Sequence, residues 1–455
     1  MTPFVNSNFE KISVWFCALL AMTVVSIAHA TSLPQDNGHK NLGNATCANE
    51  FCHEAKTPWK TSAVPQTEFS IFSSKDPHGK AYKTLLGEKS LSIAKKLGLK
   101  KPAHEEKLCL DCHANNVAPE QRSRTFKLED GVSCEACHGG ADRWLETHVS
   151  GAGDHADNIA AGLFPTEDPV KRATLCMSCH LNNDKKSVTH RMLGAGHPRL
   201  VFELDTYTAA EPAHYSISNE YKKRKVVATA IQTWALGQAK SVEILMDGIS
   251  DPVTFRKLAY PELSFFDCNS CHHKMSDKRW SPKSPTQNGP GVPRLNTSNL
   301  LMLEILAKQV APKIGKQLSK EVLALHQSTS KSHEQTAFAA RSLRKTAAQL
   351  FDQFATYSFS QYDLLSMLNN LVQDGGDKKY LDYVAAEQAT LAISTLVTGL
   401  HRTGAVDEQT FKKLNQAMDP IYKSVESDEN YKAENFKVAL SHFEIAFRRL
   451  KLNSL

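Results

Sequence analysis

Five times along this chain, two neighbouring cysteines are followed at once by a histidine. Four copies have the spacing Cys-x-x-Cys-His, whereas the first has four residues between its cysteines. The copies are Cys47, Cys52 and His53; Cys109, Cys112 and His113; Cys134, Cys137 and His138; Cys176, Cys179 and His180; and Cys268, Cys271 and His272. Such triplets attach haem covalently, because two thiols add to the vinyl groups of one haem while the histidine supplies an axial imidazole to its iron. The sequence therefore predicts five haem c groups, four from the Cys-x-x-Cys-His copies and one from the wider copy.

Two other interpretations of the cysteines were weighed. Paired cysteines also build zinc sites, in which two pairs hold one ion. Because 19 of the 455 residues are histidine, one would follow a random cysteine in about 4% of cases, so five out of five favours haem. For the first copy the alternative is a disulfide beside a chance histidine. Of the 11 cysteines only Cys17 lies outside the five pairs, and this also favours haem there.

Residues 1–30 have the features of a secretory signal peptide. Lys11 precedes an apolar run over residues 12–27, and Ala28-His29-Ala30 fits an A-x-A cleavage site. The run is short for a membrane span and no second run of spanning length follows. We expect cleavage, export to the periplasm or secretion, and no stable membrane span afterwards; an uncleaved anchor is the alternative. Export also suits haem attachment of this kind, which takes place outside the cytoplasm.

The net charge of +6 does not indicate a nucleic-acid partner. Each ferric haem with ionised propionates adds about −1, so five would bring the net charge to about +1. The basic run Lys222-Lys223-Arg224-Lys225 is interpreted as a solvated patch before a helix, or as a docking site for an acidic redox partner. No nucleic-acid binding is expected.

The residue pattern predicts a mainly α fold in two parts. Residues 31–280 hold all five motifs and are rich in Gly, Pro, Asn and His, so we expect a multihaem domain with little regular structure and a core filled by haem. One longer helix is predicted over residues 226–246, with Ile231, Trp234 and Val242 on its apolar side. Residues 281–298 are predicted to form a linker.

Residues 299–455 are predicted to form an antiparallel helical bundle, because apolar residues recur there at steps of three and four. Helices are expected over residues 300–310, 380–400 and 408–422. Two further apolar series are Leu343, Ala347, Leu350, Phe354 and Tyr357, and Phe436, Leu440, Phe443, Phe447 and Leu450. The histidines of this part are interpreted as surface or satisfied core residues: His326, His333, His401 and His442.

Each motif histidine would fill one axial position of an iron and leave the opposite position for a second ligand. A second protein ligand there favours an electron carrier, whereas an open position favours an enzyme. The predicted second ligands are His78, His148, His190, His197 and His214. His104 comes next, whereas His155 and His273 are assigned to the surface or to the surroundings of a haem. Methionine is the weaker alternative ligand. Mostly bis-histidine ligation would give low reduction potentials.

Two segments carry a family resemblance. The segments GVSCEACHGG at 131–140 and GAGHPRL at 194–200 resemble the multihaem cytochrome c family that includes hydroxylamine oxidoreductase and its tetrahaem electron-acceptor cytochrome. The resemblance covers roughly residues 47–214 and implies haems in close parallel and perpendicular pairs. It also implies that His78, His148, His190 and His197 are distal ligands.

The C-terminal helices are similar to those that pair subunits in pentahaem nitrite reductases, which implies a homodimer through them. No motif ends in lysine, the mark of the nitrite reductase catalytic haem. The expected function is therefore that of a periplasmic electron carrier between a quinol-side donor and a terminal reductase or extracellular acceptor. The alternative is an oxidoreductase in which one open haem, at the first motif or at His113, acts on a small nitrogen or sulfur compound. No catalytic residue is assigned.

Overall fold

Helices and their connections form the whole described structure. The computed structural model describes residues 32–60, 62, 64–181, 185–250, 262–273, 288–376 and 379–449. Within these ranges the only β contacts are two isolated bridges, Asn41 with Arg122 and Phe266 with Leu295. The predicted mainly α class is therefore confirmed. The predicted signal peptide lies outside the described residues.

Short helices occupy the region that carries the first four motifs. They are α1 (Asn44–Cys47), α2 (Glu68–Lys75), α3 (Ala81–Leu85), α4 (Glu88–Leu97), α5 (Lys107–His113), α6 (Cys134–His138), α7 (Leu145–Ser150), α8 (His155–Ala160), α9 (Pro169–His180), α10 (His190–Ala195), α11 (Leu204–Ala210) and α12 (Asn219–Arg224). Single 3₁₀ turns lie at Pro34–Asp36, His78–Lys80, Ala103–Glu105, Pro119–Gln121, Leu128–Asp130, Leu263–Phe265 and Cys268–Ser270. Side-chain caps define where several helices start. At α9, the side chain of Asp168 accepts hydrogen bonds from the backbone N–H groups of Val170 and Lys171, and Pro169 is the first helical residue.

One long helix, α13 (Ala230–Ser250), joins this region to the C-terminal helices. The predicted start at residue 226 was wrong by four residues, because the hydroxyl of Thr229 accepts a hydrogen bond from the N–H of Gln232 and caps the helix. Val226 and Val227 before it are exposed. Trp234 is fully buried, and α13 packs mainly against a helix of the C-terminal bundle.

The C-terminal region consists of seven described helices. They are α14 (Ser298–Val310), α15 (Pro312–Ser328), α16 (His333–Thr356), α17 (Gln361–Gly376), α18 (Tyr383–Arg402), α19 (Glu408–Ser424) and α20 (Ala433–Arg448). The predicted apolar series are buried on α16 and α20, where Leu343, Phe354 and Phe443 have no exposed surface. Tyr357 lies just beyond the end of α16, and Leu450 lies outside the described residues. Helix α16 is the principal neighbour of α13.

The largest apolar core connects both parts of the chain. It contains Met177 of α9, Trp234 of α13 and buried residues of all seven C-terminal helices. Two small apolar clusters hold the earlier helices together, one around Tyr82 and Leu110 and one around Leu97 and Met192. From Leu33 onward the chain forms one compact unit. The predicted boundaries at residues 280 and 299 stay predictions, and most of the predicted linker lies outside the described residues.

None of the described helices combines the length with the apolar character needed to cross a bilayer.

Candidate haem centres

In three of the five motifs, the local fold places the two thiols and the imidazole on one face of a helix. Three motifs end helices, namely α5, α6 and α9, each of which has the motif histidine as its last residue. Positions i, i+3 and i+4 of a helix share one face, so the Cys-x-x-Cys-His spacing aligns all three side chains. The first motif instead begins at the end of α1, and the fifth begins in the 3₁₀ turn Cys268–Ser270.

All ten motif cysteines carry free thiols. The disulfide alternative for Cys47 and Cys52 is therefore not what the structure contains. Free thiols in pairs are the form that reacts with the vinyl groups of haem.

Every motif histidine faces one histidine from elsewhere in the chain. The distances between ring centres are 6.0 Å for His53 and His148, 6.5 Å for His113 and His197, 6.3 Å for His138 and His214, 6.0 Å for His180 and His78, and 6.1 Å for His272 and His190. The second members of these pairs are the five histidines that the sequence analysis selected. Their pairing with particular motifs could not be read from the sequence.

This spacing fits two imidazoles on opposite sides of one metal ion. A bond of about 2 Å from a metal to an imidazole nitrogen is typical, so two imidazoles bound to one ion on opposite sides have ring centres about 6 Å apart. In direct stacking, by contrast, ring planes lie close together, as for His401 on Phe411 at 4.3 Å. One member of each pair directly follows the second cysteine of its motif. This donor set would suit a covalently attached, six-coordinate haem.

The histidines that fall outside the pairs have other neighbours. His104 packs edge-on against Tyr82, with 6.3 Å between ring centres. The ring of His155 hydrogen-bonds to the carboxylate of Glu167. Neither faces a motif histidine, which agrees with the lower rank that the sequence analysis gave them.

Backbone contacts hold the second histidines in place. Thr189 caps α10 and so fixes its first residue, His190, while Gly196 with φ of 113° ends that helix just before His197. The carbonyl of His78 accepts a hydrogen bond of 3.0 Å from the N–H of Val132. A Cβ at Gly131 would lie 2.5 Å from that carbonyl oxygen, so only glycine permits this approach.

Four of the ten paired imidazoles hydrogen-bond through Nδ1. His53 contacts the Glu68 carboxylate at 3.0 Å and His78 contacts the Asp76 carboxylate at 3.0 Å. The acceptors for the other two are backbone carbonyls, that of Ala81 for His113 at 3.2 Å and that of Pro198 for His197 at 2.8 Å. When Nδ1 donates, Nε2 is left with a free lone pair, which is the tautomer that binds a metal.

Burial keeps several of these imidazoles neutral. It lowers the pKa of His138 to about 3 and that of His180 to about 4. Hydrogen bonds to carboxylates act in the opposite direction and raise the pKa of His53 beside Glu68 and of His78 beside Asp76. Neutral imidazole is the form that ligates a metal, so the buried pairs are ready for binding.

The motifs also lie close to one another. The thiols of Cys47 and Cys134 lie side by side, and so do those of Cys112 and Cys179. The first motif is thus a neighbour of the third, and the second is a neighbour of the fourth.

A buried carboxylate within the third motif secures part of this arrangement. Glu135 is 2% exposed and accepts hydrogen bonds from the backbone N–H groups of Leu42 (2.7 Å), Gly43 (2.7 Å) and Ala141 (2.9 Å). Burial raises the pKa of Glu135 in spite of these donors. The contacts join the third motif to the segment that leads into the first. Sequence reasoning did not single out Glu135, because a motif spacer position carries no signal of its own.

The first three residues of the basic run that follows His214 are exposed, whereas Lys225 is half-buried, with its ammonium over the Tyr221 ring. Lys222, Lys223 and Arg224 form the last turn of α12, where positive charge is favoured by the helix dipole. The prediction of a solvated patch agrees with this exposure. Apolar side chains that are 41%, 49% and 58% exposed flank the run: Tyr215, Ile217 and Val226.

Comparison with known proteins supports the same chemistry. The family model of cytochrome c554 and c-prime matches residues 46–139, a range that contains the first three motifs. No curated protein and no solved structure matches the chain. The matched range is less than half of the chain. It is similar to the multihaem c-type cytochromes, a class of proteins that bind haem c covalently and act in electron transfer.

Proposed function

We propose that this cytochrome is an exported electron carrier with five haems, each held between two histidines. The observation that carries the proposal is that all five motif histidines face a second histidine at 6.0 to 6.5 Å between ring centres. With both axial positions filled by protein, an iron can change its oxidation state but offers no position for a substrate. Such a site suits electron transfer.

Each proposed haem is held by two cysteines and two histidines. The sets are Cys47, Cys52, His53 and His148 for the first haem; Cys109, Cys112, His113 and His197 for the second; Cys134, Cys137, His138 and His214 for the third; Cys176, Cys179, His180 and His78 for the fourth; and Cys268, Cys271, His272 and His190 for the fifth. Haem supplies a reversible one-electron couple at each iron. The protein positions the imidazoles and selects their tautomers through the hydrogen bonds at Nδ1.

The contacts between motifs support transfer within one molecule. Because Cys47 adjoins Cys134 and Cys112 adjoins Cys179, the first and third haems and the second and fourth haems would be neighbours. Cys137 lies in the electrostatic field of Cys176, which links the third motif to the fourth. The fifth is linked to the second through one short segment, since His190 and His197 stand at the two ends of α10. The resemblance to the hydroxylamine oxidoreductase group predicts such close haem pairs.

Partners and location follow from the same proposal. The A-x-A leader and the chemistry of haem attachment support export to the periplasm. Electrons would come from a quinol-side donor and pass to a terminal reductase or an extracellular acceptor. The exposed basic turn of α12, beside His214, is the proposed contact for an acidic redox partner.

Electron paramagnetic resonance of the ferric protein, combined with a haem count, tests this function. We expect only low-spin signals, and a pyridine haemochrome assay with intact mass should give five haems per chain. A high-spin signal that changes when nitrite, hydroxylamine or sulfite is added would overturn the carrier proposal in favour of an oxidoreductase with an open haem. A count of four would remove the first motif from the assignment.

A further inference from the structure

Two of the five histidine pairs differ from the rest in having a carboxylate against one imidazole. Glu68 Oε2 lies 3.0 Å from Nδ1 of His53, and Asp76 Oδ1 lies 3.0 Å from Nδ1 of His78. These pairs belong to the first and the fourth motifs. In the pair of the second motif, backbone carbonyls are the acceptors for both imidazoles. Within the described residues, the pairs of the third and fifth motifs have no carboxylate on a ring nitrogen.

Both carboxylates are built into their sites. The Glu68 side chain is 15% exposed, and its other oxygen accepts a hydrogen bond of 3.1 Å from the N–H of Gln66. Glu68 is the first residue of α2, and the next residue, Phe69, donates its backbone N–H to the carbonyl of His53. A side-chain bond and a backbone bond therefore connect the start of α2 to His53.

Asp76 is more deeply buried. Its side chain is 4% exposed, and the same oxygen that contacts the ring of His78 also accepts a 2.9 Å hydrogen bond from the N–H of His78. The segment Asp76-Pro77-His78 thereby forms a local turn that holds the Asp76 carboxylate against the His78 imidazole. A carboxylate oxygen of Glu211 lies within 4.8 Å of the Asp76 and His78 ligand atoms.

We propose that Glu68 and Asp76 are positioning residues that lower the reduction potentials of the first and fourth haems below those of the other three. This inference rests on the bis-histidine sites proposed above. A carboxylate that accepts the Nδ1 proton makes the imidazole a stronger donor through Nε2, and a buried negative charge favours ferric over ferrous iron. A backbone carbonyl acts in the same way but carries no net charge, so its effect is weaker.

The five sites are therefore unequal. With haem bound, electrons added one at a time from an external reductant such as dithionite would reduce ferric to ferrous iron first at the second, third and fifth sites. The first and fourth sites would be reduced only at lower potentials, with each Nδ1 proton kept in its hydrogen bond to Glu68 or Asp76. In Asp76→Asn, the amide oxygen can accept both bonds that Oδ1 of Asp76 accepts. In Glu68→Gln, the amide oxygen can accept the bond from His53, while the amide nitrogen replaces the oxygen that accepts from Gln66. Both changes remove charge with little change in shape.

The test is a spectroelectrochemical titration of the intact holoprotein, with haem content and electron paramagnetic resonance measured on the same samples. In each variant we expect the reduction potential of one of the five haems to rise by at least about 59 mV. For a one-electron couple this is a tenfold increase in the ratio of ferrous to ferric haem at a fixed applied potential. The matched control is Glu105→Gln, which removes a carboxylate 3.8 Å from His104, a histidine outside the pairs. It should leave all five potentials unchanged. Glu68→Asp should move the potential less than Glu68→Gln does.

The outcomes separate this inference from the proposed function. Five low-spin haems whose potentials do not move in Glu68→Gln would overturn the inference and leave the carrier function intact. High-spin iron at the first or fourth site of the unmodified protein would overturn both. If Asp76→Asn does not accumulate because Asp76 is buried, the result for the less buried Glu68 decides.

Discussion

At the residue scale, the function of each paired histidine depends on the histidine that it faces. The rings of His53 and His148 are 6.0 Å apart, with planes inclined by only 14°, whereas those of His113 and His197 are inclined by 84°. Relative ring orientation at an iron influences its electronic structure. We therefore expect the near-parallel first pair to differ spectroscopically from the near-perpendicular pairs of the second, third and fourth motifs. The side chains that surround each pair add further differences.

Replacing His148 by methionine should raise one reduction potential. Methionine ligation favours ferrous iron, whereas a second imidazole keeps the potential low. We expect one haem of the His148→Met variant to shift upwards in a redox titration, with the other four unchanged. The control is His155→Met in the neighbouring helix α8, since the His155 ring bonds to Glu167 and faces no motif histidine. Equal titration curves for His148→Met and the unmodified protein would remove His148 from the ligand set.

At the scale of single elements, α15 contains a histidine that the sequence analysis interpreted incorrectly. His326 is not on the surface, because it is 1% exposed, and neither of its ring nitrogens has a hydrogen-bond partner among the residues that the structure describes. Burial, with a smaller contribution from Arg294, lowers the pKa of His326 to about 4. A helical position gives no sign in the sequence that a histidine there is buried.

His326 should make the fold sensitive to acid. In the unfolded chain the imidazole binds a proton near its ordinary pKa of about 6.5, whereas in the folded protein it does so only near 4. The free energy of unfolding is therefore not reduced by this group above pH 6.5. It falls as the pH drops from 6.5 towards 4, by up to about 1.4 kcal/mol per pH unit. Urea unfolding followed by far-ultraviolet circular dichroism at pH 7 and pH 5 measures this loss. The loss of stability between pH 7 and pH 5 should be smaller by about 2 kcal/mol in His326→Leu than in the unmodified protein.

The control for this measurement is His442→Leu, which changes an exposed histidine of α20. Other groups titrate in the same pH range, so the difference between variants isolates the contribution of His326. If His326→Leu and His442→Leu lose the same stability between pH 7 and pH 5, the buried imidazole does not govern the acid response.

Elements with strong apolar periodicity were predictable, and the rest were not. Helices α14, α18 and α19 occupy close to their predicted ranges, because one buried face every three or four residues is visible in the sequence. The short helices between α1 and α12 carry no such pattern. Their apolar partners are few, and their order depends on caps, motif cysteines and paired histidines. The composition of their segments and the family resemblance were enough to propose which histidines would be second ligands, but which motif histidine each one faces depends on tertiary contacts.

At the scale of the whole molecule, the exposed basic turn of α12 should govern encounters with acidic redox proteins. Reversing two charges in Lys222→Glu/Lys223→Glu should slow reduction by a plant-type [2Fe–2S] ferredoxin, an acidic probe, by about tenfold at low ionic strength. The difference should shrink as salt is added, because exposed charges are screened. Stopped-flow measurement of the second-order rate constant provides the test.

The matched control reverses Lys412 and Lys413 on α19, which are also exposed and change the net charge by the same amount. Each double variant disturbs one surface pair, Lys223 with Glu220 or Lys412 with Glu408, and such pairs contribute little to stability. A rate that falls equally in both variants would attribute the effect to net charge and not to the surface around His214.

The two histidines of each pair mark the ends of a stretch of chain, here called a span, and the five spans overlap along the sequence. The spans run from residue 53 to 148, 78 to 180, 113 to 197, 138 to 214 and 190 to 272, and each begins before the previous one has ended while none lies inside another. A chain interrupted anywhere between residues 53 and 272 would leave at least one motif histidine without its counterpart. Iron bound by both members would close five interleaved loops, each of which restricts the unfolded chain. Loss of residues from one end of the segment, such as 215–272, would break a single pair and leave the other four complete, whereas a cut near its middle would break several pairs at once.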